Sequence, residues 1–168
     1  MIGGRLRGVA LAVGVAAIWC VGCRRDPNDA ARRTEHEAAI AAVVLQDLMQ
    51  LEPDAHDPQF RPSVFCVFVG ESRQGYSDPP KGLLGRLGGA GVRVVAASEC
   101  RFPAYRLKVS DTRVALIGVS SVEWRRDDQV KVKAERGIGP LAGRGWDYTL
   151  SLTAKGWEID NATPTWIS

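Results

Sequence analysis

The side chains able to do chemistry in this sequence are few: four cysteines, two histidines and some carboxylates on stretches that read as strands. Cys20 and Cys23 end an apolar N-terminal run, while Cys66 and Cys100 lie in the body. A catalytic thiol needs an imidazole within hydrogen-bond reach to take its proton. His36 sits in a helical stretch and His56 in a loop, and neither carries a surrounding pattern that pairs it with a cysteine. Asp54, His56 and Asp57 bring oxygen and imidazole donors within four positions. A zinc site needs further His or Cys at a set spacing, and the body offers none. A solvated loop is expected there, with no metal and no cofactor.

For acid–base work the candidates are Glu123, Asp147 and Glu158, each on a predicted strand. Alternation with Trp146, Tyr148, Trp157 and Ile159 puts Asp147 and Glu158 on the polar face, so a solvated sheet face is expected. His36-Glu37 would open the His-Glu-x-x-His zinc-protease helix, but Ile40 stands at the second ligand position. The motif is absent, and His36 is expected to be an exposed helix residue. The glycines from Gly82 to Gly91 follow a helix instead of opening one and lack Gly-Lys-Ser/Thr, which excludes a nucleotide fingerprint. No catalytic residue is assigned, and an enzyme is not expected.

What positions these residues begins with the leader. Arg5 and Arg7 precede an uncharged apolar run from Val9 to Val21, the charged and hydrophobic regions of an export signal. The run is short for a membrane span, which needs about 20 apolar residues. Its end, Ile18-Trp19-Cys20-Val21-Gly22-Cys23, resembles the lipobox of bacterial lipoproteins. Gly22 and Cys23 match that pattern, and Cys20 stands where Leu is usual. The resemblance implies a signal peptide over 1–22, with diacylglycerol and an acyl chain such as palmitate on Cys23 as the new N-terminus. Plain secretion after a small-residue site and an uncleaved anchor remain alternatives. All three export the body, and a lipid on Cys23 would place it on the extracytoplasmic side of the bacterial cell envelope.

Outside the cytoplasm two thiols in one small domain form a disulfide more often than a reactive or metal site. A Cys66–Cys100 bond is therefore expected, at a stabilisation of about 3 to 4 kcal/mol in the chain-entropy treatment. The formal charge of +3 also falls if the leader leaves: 22 basic side chains less Arg5 and Arg7 stand against 19 acidic ones, or +1. So small an excess makes no case for nucleic acid.

Residues 23–33 read as a polar tether, and 34–168 as a single domain. Thr34-Glu35-His36-Glu37 is a capping box, and Ile40, Ala41, Val44, Leu45, Leu48 and Leu51 follow at helical spacing, which predicts an amphipathic helix over 34–51. Val64–Val69 is a continuous apolar run and reads as a buried central strand. Asp78 and Pro79 open a short helix carrying Leu83, Leu84 and Leu87. Val92–Ala97 and Tyr105–Val109 are predicted as a strand pair. Four consecutive strands then follow: Val114–Trp124, a return through Val130 to Glu135, and, after a glycine-rich connection over 138–145, the hairpin Trp146–Thr153 and Trp157–Asp160 about Lys155-Gly156.

The reading is an α+β domain: one long N-terminal amphipathic helix on a mainly antiparallel sheet that ends in a four-strand meander, plus one short helix. Trp124, Trp146, Tyr148, Trp157 and Trp166 are expected in the core or at its rim. The closing Tyr148-x-Leu150 and Gly156-Trp157-x-Ile159 resemble the terminal hairpin of cystatin-like and NTF2-like curved sheets, over roughly the last third of the chain. Two functions follow. One is a non-catalytic, lipid-anchored envelope module that binds an unknown envelope protein or ligand. The other, implied by the NTF2-like resemblance, is a small-pocket enzyme or binder with a carboxylate facing inward beneath the helix.

Overall fold

Apolar spacing decides which surfaces meet. The computed structural model describes residues 27–51, 59–70, 76–89 and 91–167, with the backbone alone for 27–30. Cys23 and the loop residues Asp54, His56 and Asp57 lie outside the described residues. The elements are α1 (Pro27–Gln50), β1 (Val64–Val69), α2 (Lys81–Leu87), β2 (Arg93–Ala96), β3 (Cys100–Arg101), β4 (Arg106–Leu107), β5 (Ala115–Arg126), β6 (Gln129–Gly139), β7 (Ala142–Thr153) and β8 (Gly156–Ile167). Six strands form one sheet in the order β2-β1-β5-β6-β7-β8, and β3 and β4 pair as a separate ribbon. The expected α+β class and four-strand meander are present. Among the described residues no helix is long and apolar enough to cross a membrane.

The apolar run of β1 is buried on both faces, as a central strand requires, and its two neighbours β2 and β5 both lie parallel to it. On one face Phe65 and Val67 meet Ile40, Val44, Leu45 and Leu48 of α1, in a core that extends to Val130, Val132, Tyr148 and Leu150. On the other, Cys66 and Phe68 meet Cys100, Leu107 and Val114, carried by the excursion between β2 and β5. A disulfide joins Cys66 to Cys100, as the two body thiols imply.

Helix α1 starts at Pro27, well before the capping box. Thr34 and Glu37 are therefore interior helical residues, and 27–33, assigned above to the tether, are helical. His36 departs from the exposed position expected of it. It is half-buried, its Nδ1 accepts from Trp157 Nε1 at 3.0 Å, and it packs edge-on against both Trp124 and Trp157. Trp124 Nε1 donates to Glu37 at 3.2 Å, and the Tyr148 hydroxyl donates to Asp47 at 2.8 Å. Each such bond is worth about 0.5–1.5 kcal/mol net, against about 1.5–3 kcal/mol for each fully buried Leu or Ile of α1. Apolar burial thus holds the helix down, and the polar ties set its rotation and register.

Three further differences are local. Pro80, and not Asp78, caps α2; the Asp78 carboxylate instead accepts from the Ser98 N–H at 2.9 Å. The predicted strand at Tyr105–Val109 shrinks to Arg106–Leu107 in the side ribbon, where it pairs with Cys100–Arg101 and meets Arg113 through an isolated bridge. The glycine-rich connection over 138–145 is largely strand: β6 runs to Gly139 and β7 starts at Ala142. The last hairpin turns through Ala154 and Lys155, with Gly156 at φ +111°, a conformation that L side chains rarely adopt. As the edge strand, β8 is guarded by Pro164 and two register shifts, which interrupt the unpaired backbone that a neighbouring chain would need.

Candidate functional site: a glycine-floored cleft at Glu135

Alternation along β6 places Lys131, Lys133 and Glu135 on the face turned away from α1. The first of these pairs with a carboxylate across the strand, Lys131 Nζ lying 2.6 Å from Asp147. Glu135 has a different neighbourhood. Its cross-strand partners are glycines on both sides, Gly118 of β5 and Gly145 of β7, and the next position on the same face is Gly137, opposite Gly143. Glycine in a strand interior gives up packing, and it is found where something must approach the backbone closely.

Here that something is a set of aromatic rings. A methyl group on Gly118 would overlap the Phe68 ring, one on Gly145 would overlap the Trp166 indole, and one on Gly137 would come within 3.0 Å of the Tyr105 hydroxyl. The rings come from remote parts of the chain. Tyr76 is placed by the bridge from Ser77 to Val69, and its ring packs on Phe68 at 4.7 Å between centroids. Tyr105 takes a left-handed backbone, φ +52°, held by the Val114 N–H donating to its carbonyl at 3.0 Å, with its ring edge-on to Phe102. That conformation is costly for an aromatic residue and is retained only where surrounding contacts enforce it. Trp166 is set by the pairing of β8 with Gly145.

The resulting cleft holds about 240 Å³, with Glu135 between Tyr76, Tyr105 and Trp166 over a floor of Gly137 and Gly143. Desolvation raises the Glu135 carboxyl above the usual carboxylate range. The phenols of Tyr76 and Tyr105 are raised as well, first by burial; Tyr105 then feels Tyr76, and both feel Glu135. Arg136 also borders this cleft, but its guanidinium passes to the opposite face and donates to the carbonyls of Leu48 in α1 and of Leu51 just beyond it, at 3.4 and 2.9 Å.

A measurable consequence concerns pH. Because the folded-state pKa of Glu135 lies above its unfolded value, the folded protein binds more protons across the window between the two. Stability therefore falls as pH rises through that window. The Glu135→Gln variant is expected to lose this component of the pH dependence and to gain on the parent above the window. Urea denaturation of both proteins at closely spaced pH values reads it, and parallel curves would show that Glu135 is solvated.

Two larger clefts flank α1. One, of about 660 Å³ at its C-terminal end, is bordered by Gln46, Phe65, Arg61, Arg86 and Arg136. The other, of about 570 Å³, is mostly apolar and lined by Ala38, Ala41, Val69, Leu83 and Val119. Neither joins a carboxylate of raised pKa to aromatic walls, which singles out the Glu135 cleft despite its smaller size.

The three carboxylates singled out by sequence are not brought together beneath the helix. Glu123 pairs with Arg125 at 3.1 Å, Asp147 pairs with Lys131, and Glu158 is exposed. Glu135 was missed because alternation alone makes it equivalent to Lys131 and Lys133. The signal lay in the glycines: Gly118 falls inside a predicted strand, while Gly143 and Gly145 belong to the stretch that reads as a connection and is strand. Among the described residues no group of three His, Cys, Asp or Glu side chains is arranged to hold a metal ion. Compared with family models, curated proteins and solved structures, the chain matches none.

Proposed function

We propose that the chain is an exported binding module of the bacterial cell envelope, tethered through a lipid on Cys23, with no catalytic step of its own. The observation that carries this reading is the Cys66–Cys100 disulfide, with both sulfurs in the core. Such bonds persist outside the cytoplasm and are reduced within it. The leader that ends at Cys23 agrees, and so does the geometry of the body. The chain enters the fold through α1 on one face of the sheet, and the Glu135 cleft opens on the other, so a tether at the N-terminus leaves the cleft accessible. A small-pocket enzyme or ligand binder of the NTF2-like kind is the second reading. The half-buried Glu135 carboxyl beside Tyr105 favours it.

Intact-mass spectrometry of protein from the membrane fraction of a bacterial host tests the tether. The expected chain begins at Cys23, carries diacylglycerol and an acyl group, and gains the mass of two hydrogens on reduction. An unmodified chain cut elsewhere would remove the anchor, and free thiols before reduction would remove the argument for export.

A further inference from the structure

We propose that the Glu135 cleft binds an organic cation, a quaternary ammonium group seated on the carboxylate and enclosed by the rings of Tyr76, Tyr105 and Trp166. This rests on the binding-module reading and names the ligand class for its site.

The charge balance on this face of the sheet points to a cation. Each of the carboxylates Glu123 and Asp147 has a cation beside it, Arg125 and Lys131 respectively. Glu135, more desolvated than a surface carboxylate, forms no ion pair among the described residues. Lys133, the next side chain along this face of β6, is exposed and does not close on it. A half-buried carboxylate without a counter-charge disfavours its own ionised form, and a cationic ligand relieves that penalty.

The walls match the same chemistry. Aromatic faces attract cations through the ring quadrupole, most strongly where water is excluded. Trp166 and Tyr76 remain partly exposed, at 45 and 38 %, so the cleft is open to solvent from above. A volume of about 240 Å³ accommodates an ammonium head group with a short stem. The glycine floor matters for shape. Side chains at Gly137 or Gly145 would displace the rings that form the walls.

The test uses the full chain and choline chloride as probe, titrated at constant ionic strength and followed by calorimetry and tryptophan fluorescence. The control is its neutral carbon isostere, with a tert-butyl group in place of trimethylammonium. Choline is expected to bind about tenfold or more tightly than the isostere, and Glu135→Gln is expected to abolish that difference. Trp166→Ala, a change at an exposed position, is expected to weaken choline about tenfold without altering the circular dichroism spectrum. Equal affinity for choline and the isostere would overturn the cation assignment, as would unchanged choline binding in the Glu135→Gln variant. So would an absence of choline binding. None of these outcomes touches the anchor, which the mass of the N-terminal residue decides separately.

Discussion

Loss of the Cys66–Cys100 bond is expected to lower the unfolding free energy by about 3 to 4 kcal/mol, since the bond closes a loop with a sequence separation of 34. The segment that follows Cys100, outside that loop, is thinly held. The excursion that covers the outer face of β1 has a ribbon of two residue pairs and the apolar contacts of Leu107 and Val114. When the bond is broken this cover should loosen before the main sheet does, and Tyr105 should leave its place over Gly137. Two effects follow together. The denaturation midpoint falls in reductant or in the Cys66→Ala/Cys100→Ala variant, and amides over 100–114 exchange at low denaturant while those of β6 and β7 stay protected. A midpoint that reductant leaves unchanged would mean that the excursion is held by its own packing.

Removal of the Arg136 guanidinium is the second large effect. Helix α1 has no basic residue in its last turn, and Arg136 reaches from β6 to the carbonyls of Leu48 and Leu51. It is 8 % exposed, the one buried charged side chain among the described residues. A buried cation is tolerated there because it meets carbonyl acceptors at the negative end of the helix dipole. Arg136→Met keeps most of the volume and leaves those carbonyls short of a donor, at an expected cost of about 2 to 4 kcal/mol. Both bonds leave Nη1; Arg136→Lys keeps the charge but offers it as a compact ammonium on a differently shaped stem, and should fall between the two. Chemical denaturation of the three proteins gives the order. Equal stability of the Met variant and the parent would show that water serves the end of α1 equally well.

Several elements were legible because their information is local. The hairpin of β7 and β8 follows from strict alternation on either side of a turn that ends in glycine. The β1 run is apolar at every position, which only a strand covered on both faces can use. The apolar stripe of α1 is spaced for one buried face, and two body thiols in one small domain, on the expectation of export, have few other uses. The start of α1 was misplaced for a reason of the same kind. Thr34-x-x-Glu37 satisfies the chemistry of a helix start, and so does Asp26-Pro27 upstream, the same pair that opens the predicted helix at Asp78-Pro79; the two signals compete locally.

The sequence by itself determined the α+β class, the meander, the face of α1 that is buried and the pairing of Cys66 with Cys100. Only the tertiary structure decided that β2 and β5 flank β1 in parallel, that His36 accepts from Trp157, and that Glu135 differs from Lys131 and Lys133. Periodicity along a strand reports which face each side chain takes and is silent about what arrives on that face. Phe68, Tyr105 and Trp166 reach the glycines around Glu135, and Tyr76 packs on Phe68, from separate segments that only the folded chain brings together.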